Sequence, residues 1–456
     1  MKRLICLLLV LAAPTLAQNV KLPASSRDTL DNGLTVILMP YAKVPVVHFR
    51  LIVRGGSASD PAGHEGLAAM TTSLMREGTA TRTAEQIARS IDFVGGSLSV
   101  DAGLDYCAAT TEVLSKDVDT ALALLSDVVL APSFPEEELE RERKQRLAGL
   151  DAMKEEPAAV VSLVFSRSVY GSHPYGAQRN GTRRSIGEVT QADLRRFHAS
   201  TFVPQNAVLA VVGDFAPGDM MTRVRNAFSA WRRGEAPAVA LDRPVPLTGR
   251  RVVLIDKPDA TQTQIRFGNT GIDIRDPDYF PVMVANTVFG SGFTSRLIEE
   301  LRVKRSLTYS ASSSFPAALH GGSFGIGTFT KNATMGEALD VIIAELKKYR
   351  TSGATNDEIE KAKNYITGNF ARSLQTPGAL AQRVTDIEVY GLPPDHFATY
   401  VEKVGRVTQK SLKEAVTRHF TVDDRVIVLL GPARDLRALA APYGEVSVIP
   451  LDEAVR

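Results

Sequence analysis

Gly66-Leu67-Ala68-Ala69-Met70-Thr71-Thr72-Ser73-Leu74-Met75-Arg76-Glu77-Gly78-Thr79 is the stretch on which the reading of the chain turns. It follows a strand-like run, Val47 to Val53, and the turn-rich Gly55-Gly56-Ser57-Ala58-Ser59-Asp60-Pro61. Leu67, Met70, Thr71 and Leu74 recur at helical spacing, which predicts a helix over 65–77 with one apolar face. Ala69 and Ser73 are i, i+4 neighbours on another face of that helix, with Thr72 beside them.

Working outward to the start, Lys2 and Arg3 precede the apolar run Leu4 to Ala13, and Thr15-Leu16-Ala17 offers a small-residue cleavage site. Residues 1–17 therefore read as a secretory signal peptide, too short for a stable membrane anchor, which implies a periplasmic protein. Its removal takes away two basic residues and no acid, leaving equal numbers of Lys+Arg and Asp+Glu. A chain so balanced carries no electrostatic signature of a nucleic-acid or anionic-membrane partner. Of the two cysteines only Cys107 lies beyond the signal, so no internal disulfide is available and a packed core must hold the fold. Cys107 itself reads as a buried small residue.

The rest of the chain is an internal repeat. Val189-Thr190-Gln191-Ala192-Asp193-Leu194 returns 218 residues later as Val407-Thr408-Gln409-Lys410-Ser411-Leu412, and the same offset pairs Phe202 with Phe420 and Gly213 with Gly431. Helix, loop and strand agree together, which marks two copies of one unit. Between them Gly234 to Gly249, with Pro237, Pro244 and Pro246, reads as a linker. The expected domains are 18–233 and 251–456, joined through 234–250. Strands at both ends of each unit (Leu34–Met39, Val47–Val53 and Val208–Val212; Val252–Ile255 and Val426–Leu430) with amphipathic helices between them predict an α+β fold. Each unit should be a mainly antiparallel sheet with helices packed on one face. Thr83-Ala84-Glu85-Gln86 is a capping-box start for a helix over 84–93, stopped by Gly95-Gly96, and a long charged helix spans Pro135 to Lys154.

The opening stretch resembles the pitrilysin/insulinase family of zinc peptidases, which includes the mitochondrial processing peptidases. In that family the helix opens Gly-Leu-Ala-His, continues to Glu-His and ends near a Gly-Thr pair. Gly66-Leu67-Ala68 and Gly78-Thr79 match without a gap, which puts Ala69 and Ser73 on the histidine ligands and Thr72 on the catalytic glutamate. The family's third ligand, a glutamate eight residues before a helix-ending proline, falls on Gly149 when counted back from Pro157, 76 residues beyond Ser73. A catalytic zinc needs about three ligands from His, Cys, Asp or Glu. Alanine and glycine offer none and the two hydroxyls are poor ones. A shifted motif from His64-Glu65 fails because the fourth residue on is Ala68. The metal positions are thus lost at Ala69, Ser73 and Gly149 and the base at Thr72, so no zinc is expected in this chain.

The resemblance runs over nearly the whole mature chain. Tyr170-Gly171-Ser172-His173-Pro174-Tyr175-Gly176 looks like the family's His-Pro-Tyr-Gly turn, with His173 packing or capping locally. His48 alternates with Arg50 and Arg54 on the strand face opposite Phe49, Leu51 and Val53, a face that either lines a chamber or meets solvent. In the second half, Phe293-Thr294-Ser295-Arg296-Leu297 through Leu301-Arg302-Val303-Lys304-Arg305-Ser306-Leu307-Thr308-Tyr309 is similar to the family's Phe-x-Ser-Arg-Leu…Leu-Arg-x-Lys-x-x-Leu-x-Tyr segment. It reads as a helix from about Ser295 with the next strand beginning at Leu307. In active members the segment's arginine and tyrosine face the zinc site and bind substrate; those positions are Arg302 and Tyr309. On spacing alone they read as a surface ion-pair residue and an amphipathic strand residue.

Some family members are two-chain peptidases in which one chain brings the zinc helix and the other the Arg/Tyr pair. The resemblance implies the second kind: a non-catalytic periplasmic subunit, half of a clamshell, whose zinc-bearing homologous partner supplies the metal while Arg302 and Tyr309 bind an unfolded peptide. The other class of reading is a non-proteolytic peptide-binding or assembly scaffold of the same fold.

Overall fold

Residues 26 to 213 and 250 to 450 each build a six-stranded sheet, and the two sheets have strand orders that match over five strands. The computed structural model describes residues 22–235 and 241–456. Residues 1–21, which include the stretch 1–17 read as a signal peptide, and residues 236–240 of the linker stretch lie outside the described residues. The first sheet comprises β1 (Ser26–Thr29), β2 (Thr35–Pro40), β3 (Val46–Arg54), β4 (Ser97–Ala102), β5 (Tyr106–Leu114) and β6 (Ala207–Gly213). The second comprises β7 (Arg250–Asp256), β8 (Gln262–Thr270), β9 (Ala311–Ser314), β10 (Ser323–Lys331), β11 (Arg425–Gly431) and β12 (Glu445–Pro450). Their orders, β1-β2-β6-β3-β5-β4 and β12-β7-β11-β8-β10-β9, match over the five strands from β2 and β7 onward, so edge β4 corresponds to edge β9, while the opposite edges differ, β1 pairing antiparallel and β12 parallel. In the first sheet only β2–β6 is parallel; in the second β7 pairs in parallel with β11 and β12. Both sheets are mixed and antiparallel-rich, and the α+β fold of two homologous units holds.

The helices of the first half that bear on the site are α1 (Leu67–Leu74), α2 (Ala84–Phe93), α3 (Val118–Leu130), α4 (Glu136–Met153) and α5 (Pro157–Tyr170). Val47, Phe49, Leu51 and Val53 of β3 face Leu67, Met70 and Leu74 of α1 and Leu122 and Leu125 of α3 in one core. The repeat is visible in the caps. Thr190 and Thr408 each cap the helix that follows, Gln191–Thr201 and Gln409–His419, by accepting from the backbone N–H three residues on. Thr83 and Gln86 form the expected capping box of α2.

Each sheet's second face takes a helix from the other half. The central strands β6 and β11 are buried at every residue, so their other face also needs a cover, as continuous apolar runs demand. On the first sheet the cover is the helix Pro377–Tyr390: Leu380, Ala381 and Val384 pack on Ile37, Met39, Ile52, Val208, Ala210 and Val212. On the second it is α5, whose Val160, Val161, Val164 and Phe165 pack on Ile255, Val426, Val428 and Leu430. The exchange decides the fate of the polar side of β3. Arg50 donates through Nε to Thr385 Oγ1 at 3.1 Å and through Nη2 to Tyr106 Oη at 3.1 Å. Arg54 donates to the Glu388 carbonyl at 3.0 Å. The His48, Arg50 and Arg54 face therefore neither lines a chamber nor meets open solvent; it is roofed by the exchanged helix.

Because each half completes the other's sheet, Leu380→Ala is expected to cost about 2–5 kcal/mol and to lower a single calorimetric transition shared by both halves. A separate early transition, with the second half melting as before, would show that the halves unfold independently.

Candidate functional site

Asp60 sets the start of α1. Its carboxylate accepts from the backbone N–H groups of Gly66 and Ala68, both at 2.8 Å. Those donors favour the ionised form, but burial outweighs them and pushes the carboxyl up to about 7. Gly66 sits at φ 90°, and a Cβ there would fall 2.6 Å from the Gly181 backbone, so only glycine fits. The helix runs Leu67–Leu74, shorter than the 65–77 read from periodicity, because Gly66 is left-handed and the Glu77 N–H closes a tighter turn on the Leu74 carbonyl.

On this helix Ala69 and Ser73 are half-buried and Thr72 is buried. The Thr72 hydroxyl turns back to the carbonyls of Ala68 and Ala69, at 3.0 and 3.1 Å. It is committed to its own helix and has no proton-accepting reach into a cleft. Gly149 lies on the exposed side of α4, with nothing within 4 Å of where its Cβ would be. One turn earlier Arg146 crosses to α1, donating through Nη2 to the Ala69 carbonyl at 3.1 Å and through Nε to Glu142 at 2.6 Å. The residues at the family's metal positions do not fit a zinc ion: they bring no imidazole, thiolate or carboxylate.

Among the described residues, Asp276, Asp278 and His419 hold the side-chain donors close enough together to share a metal ion. Asp278 is already committed, accepting from Arg418 at 3.0 Å and meeting His419 at 2.7 Å. Arg418 and His419 thereby tie the helix Gln409–His419 to the turn before Tyr279 through Asp278. The cluster's members lie too far apart in sequence for any spacing rule to find.

Arg302 and Tyr309 are brought together. Arg302 Cζ lies 4.8 Å from the Tyr309 ring centroid, a cation–π stack, and Tyr309 is 74% exposed. The segment Ile298–Lys304 is π-helical, a widened turn that proteins place at functional sites more often than elsewhere. It is anchored by buried Leu297 and Leu301 and closed by the Leu307 N–H on the Leu301 carbonyl at 2.8 Å. Tyr309 does not open the next strand, as the sequence suggested. β9 begins at Ala311, because Ser306 turns to φ 53° and the Thr308 hydroxyl binds both backbone groups of Ser310. The neighbouring cations are spoken for. Lys304 donates to Glu300 at 2.7 Å and Arg305 pairs with the same carboxylate, and these bonds hold Glu300 below its ordinary pKa.

The two stretches occupy corresponding places at the two sheet edges: α1 packs beside β4, and the π-helical segment beside β9. On β4, Arg76 donates to the Leu98 carbonyl at 2.9 Å and Arg179 to the Ala102 carbonyl at 3.3 Å, so side chains already cap that edge. The His-Pro-Tyr-Gly turn does more than close locally. His173 Nδ1 accepts from the Tyr175 N–H at 3.1 Å, while the Tyr175 hydroxyl donates to Asp105 and accepts from the His320 N–H. No helix of the described residues is long and apolar enough to cross a membrane.

Comparison with known proteins agrees with this arrangement in both halves. Residues 36–183 match the family described as insulinase (peptidase family M16), and residues 188–366 match the peptidase M16 inactive domain. An uncharacterized zinc protease of Streptomyces coelicolor is 26% identical over 90% of this chain and 90% of its own. A non-peptidase homolog of Helicobacter pylori, YmxG, is 24% identical over 88% and 94%. The crystal structure of a peptidase M16 inactive domain from Pseudomonas fluorescens superposes with a TM-score of 0.85 at 29% identity, covering 90% of this chain and 98% of that one.

Glycine at 149 lies inside the continuous helix α4 and contacts nothing that requires it. Gly149→Ala is expected to raise stability by about 1 kcal/mol, read as a higher denaturant midpoint at unchanged slope; a lower midpoint would show that the position carries a constraint beyond helix propensity.

Proposed function

We propose that this chain, which belongs to the insulinase family (peptidase family M16), works as a non-catalytic subunit of a periplasmic two-chain zinc peptidase. A zinc-bearing homologue would be its partner, the two closing as a clamshell around an unfolded peptide. The observation that carries this is an asymmetry between the halves. The first half keeps the helix frame with no metal ligand at the three metal positions, while the second presents a half-buried Arg302 stacked on the exposed ring of Tyr309.

Each residue has a physical role in that assembly. The Arg302 guanidinium offers a rigid fork of donors to a peptide carbonyl or terminal carboxylate. The Tyr309 hydroxyl can donate to the oxygen that gains charge as a peptide carbonyl becomes tetrahedral. Neither can activate water, which makes the metal-bearing partner necessary. Edge strand β9 lies beside them, so an extended peptide added along that edge would gain main-chain hydrogen bonds with little sequence preference.

The test is zinc content and peptide hydrolysis, for the chain alone and mixed with a His-x-x-Glu-His homologue from the same organism. Hydrolysis is expected only in the mixture. There Tyr309→Phe should lower kcat by about 10²-fold, the scale of losing one oxyanion donor, and Arg302→Ala should raise KM. Unchanged turnover in both variants would sink the assignment. A silent mixture, with the chain stably self-associated, would point to the scaffold.

A further inference from the structure

The first half is rebuilt at the place where the metal was lost. In an α-helix the carbonyl of residue i points along the axis toward residue i+4. A group bonded to the Ala69 carbonyl therefore lies between residues 69 and 73, the two positions that match the family's histidines. The group found there is the Arg146 guanidinium, at 3.1 Å through Nη2, and Nη1 reaches toward the Asn180 carbonyl at 3.5 Å. Its charge is balanced by Glu142 at 2.6 Å, with both side chains largely covered, 17% and 16% exposed. Arg146 precedes Gly149 by one turn of α4, so it approaches from the element that carries the third metal position.

We propose that Arg146 is a fixed protein cation standing where an active relative carries its metal, and that it ties α1 to α4 as the metal would. Three features fit that role. A guanidinium stays charged at any pH the protein meets and forms directed bonds to carbonyl and carboxylate oxygens. Ala69 and Ser73 are small enough to leave room for it. Glu142 supplies the counter-charge from α4 itself, so the pair needs nothing from α1 but a backbone carbonyl. It follows that restoring the ligands does not by itself restore the metal: a divalent ion would meet a like charge at short range, and an imaginable imidazole at 69 or 73 would contend for the same space. The inference concerns the chain alone and does not rest on the subunit reading.

The experiment is zinc loading of two full-length proteins, Ala69→His/Ser73→His/Gly149→Glu and the same triple with Arg146→Leu. Metal analysis and chelator competition give content and affinity. The Arg146→Leu protein is expected to hold zinc about tenfold or more tightly than the triple variant that keeps Arg146, the scale of a single like-charge contact near a surface. Equal affinity in the two, or no zinc in either folded protein, overturns the proposal. Should the triple variants not fold, amide exchange in the native background decides. Arg146→Leu is then expected to speed exchange in α1 about tenfold, as loss of a charge-assisted hydrogen bond does, with partial recovery in Arg146→Lys. Unchanged exchange in Arg146→Leu overturns it.

Discussion

The reciprocal exchange of two helices is the constraint on which the rest of the structure depends. Strands β6 and β11 are apolar on both faces, and each half's main helical layer covers only one of them. With α5 given to the second sheet and Pro377–Tyr390 to the first, neither half has a complete core without the other. This is why the polar side of β3 ends in bonds to Thr385 and Glu388 rather than in water. The Tyr175–Asp105 contact adds a second tie, because Asp105 also accepts from the Leu319 N–H at 3.1 Å. Among the described residues there is no disulfide, Cys107 being buried and free, so burial and these bonds carry the coupling.

A frame built this way does not need a metal ion to stand. The position of α1 is set by its apolar face against β3, by the Asp60 carboxylate at its first turn and by the close approach of Gly66 to Gly181. None of these involves positions 69, 72 or 73. Those positions could therefore change without loss of the fold, and the small residues found there admit a neighbour from α4. The same independence separates fold from activity across the family: superposition at a TM-score of 0.85 speaks to the frame, and only the side chains at the site speak to chemistry.

Much of this was legible in the sequence, for identifiable reasons. The repeat at 218 residues predicted two equivalent units, and Thr190 and Thr408 do cap equivalent helices, since capping is a local rule that sequence states directly. Strands with strong apolar runs were found to within a residue or two. The exchanged helices were not, because an amphipathic helix announces that it will bury a face without saying against which sheet. Nor could spacing bring Arg146 to Ala69, 77 residues away, or Asp278 to His419. At Tyr309 the apolar alternation was misleading: the left-handed Ser306 and the Thr308 side chain hold the segment out of the strand until Ala311.

The segment around Arg302 contains its own control. Arg296, six residues earlier, is a structural arginine in every respect. Its fork grips both oxygens of Glu358, at 2.7 and 2.8 Å, and the Gly353 carbonyl, while its cation stacks on buried Tyr349. Lys304 and Arg305 are likewise consumed by Glu300. Arg302 differs from all three: its recorded partner is an aromatic ring that is itself mostly in solvent. Stacking on such a ring contributes on the order of 0.5–1 kcal/mol, enough to hold a guanidinium in one place and little enough to be exchanged for a stronger acceptor. Packing gives no reason to expose a tyrosine beside an uncommitted arginine at a sheet edge. The proposed function supplies one, in recognition of a peptide.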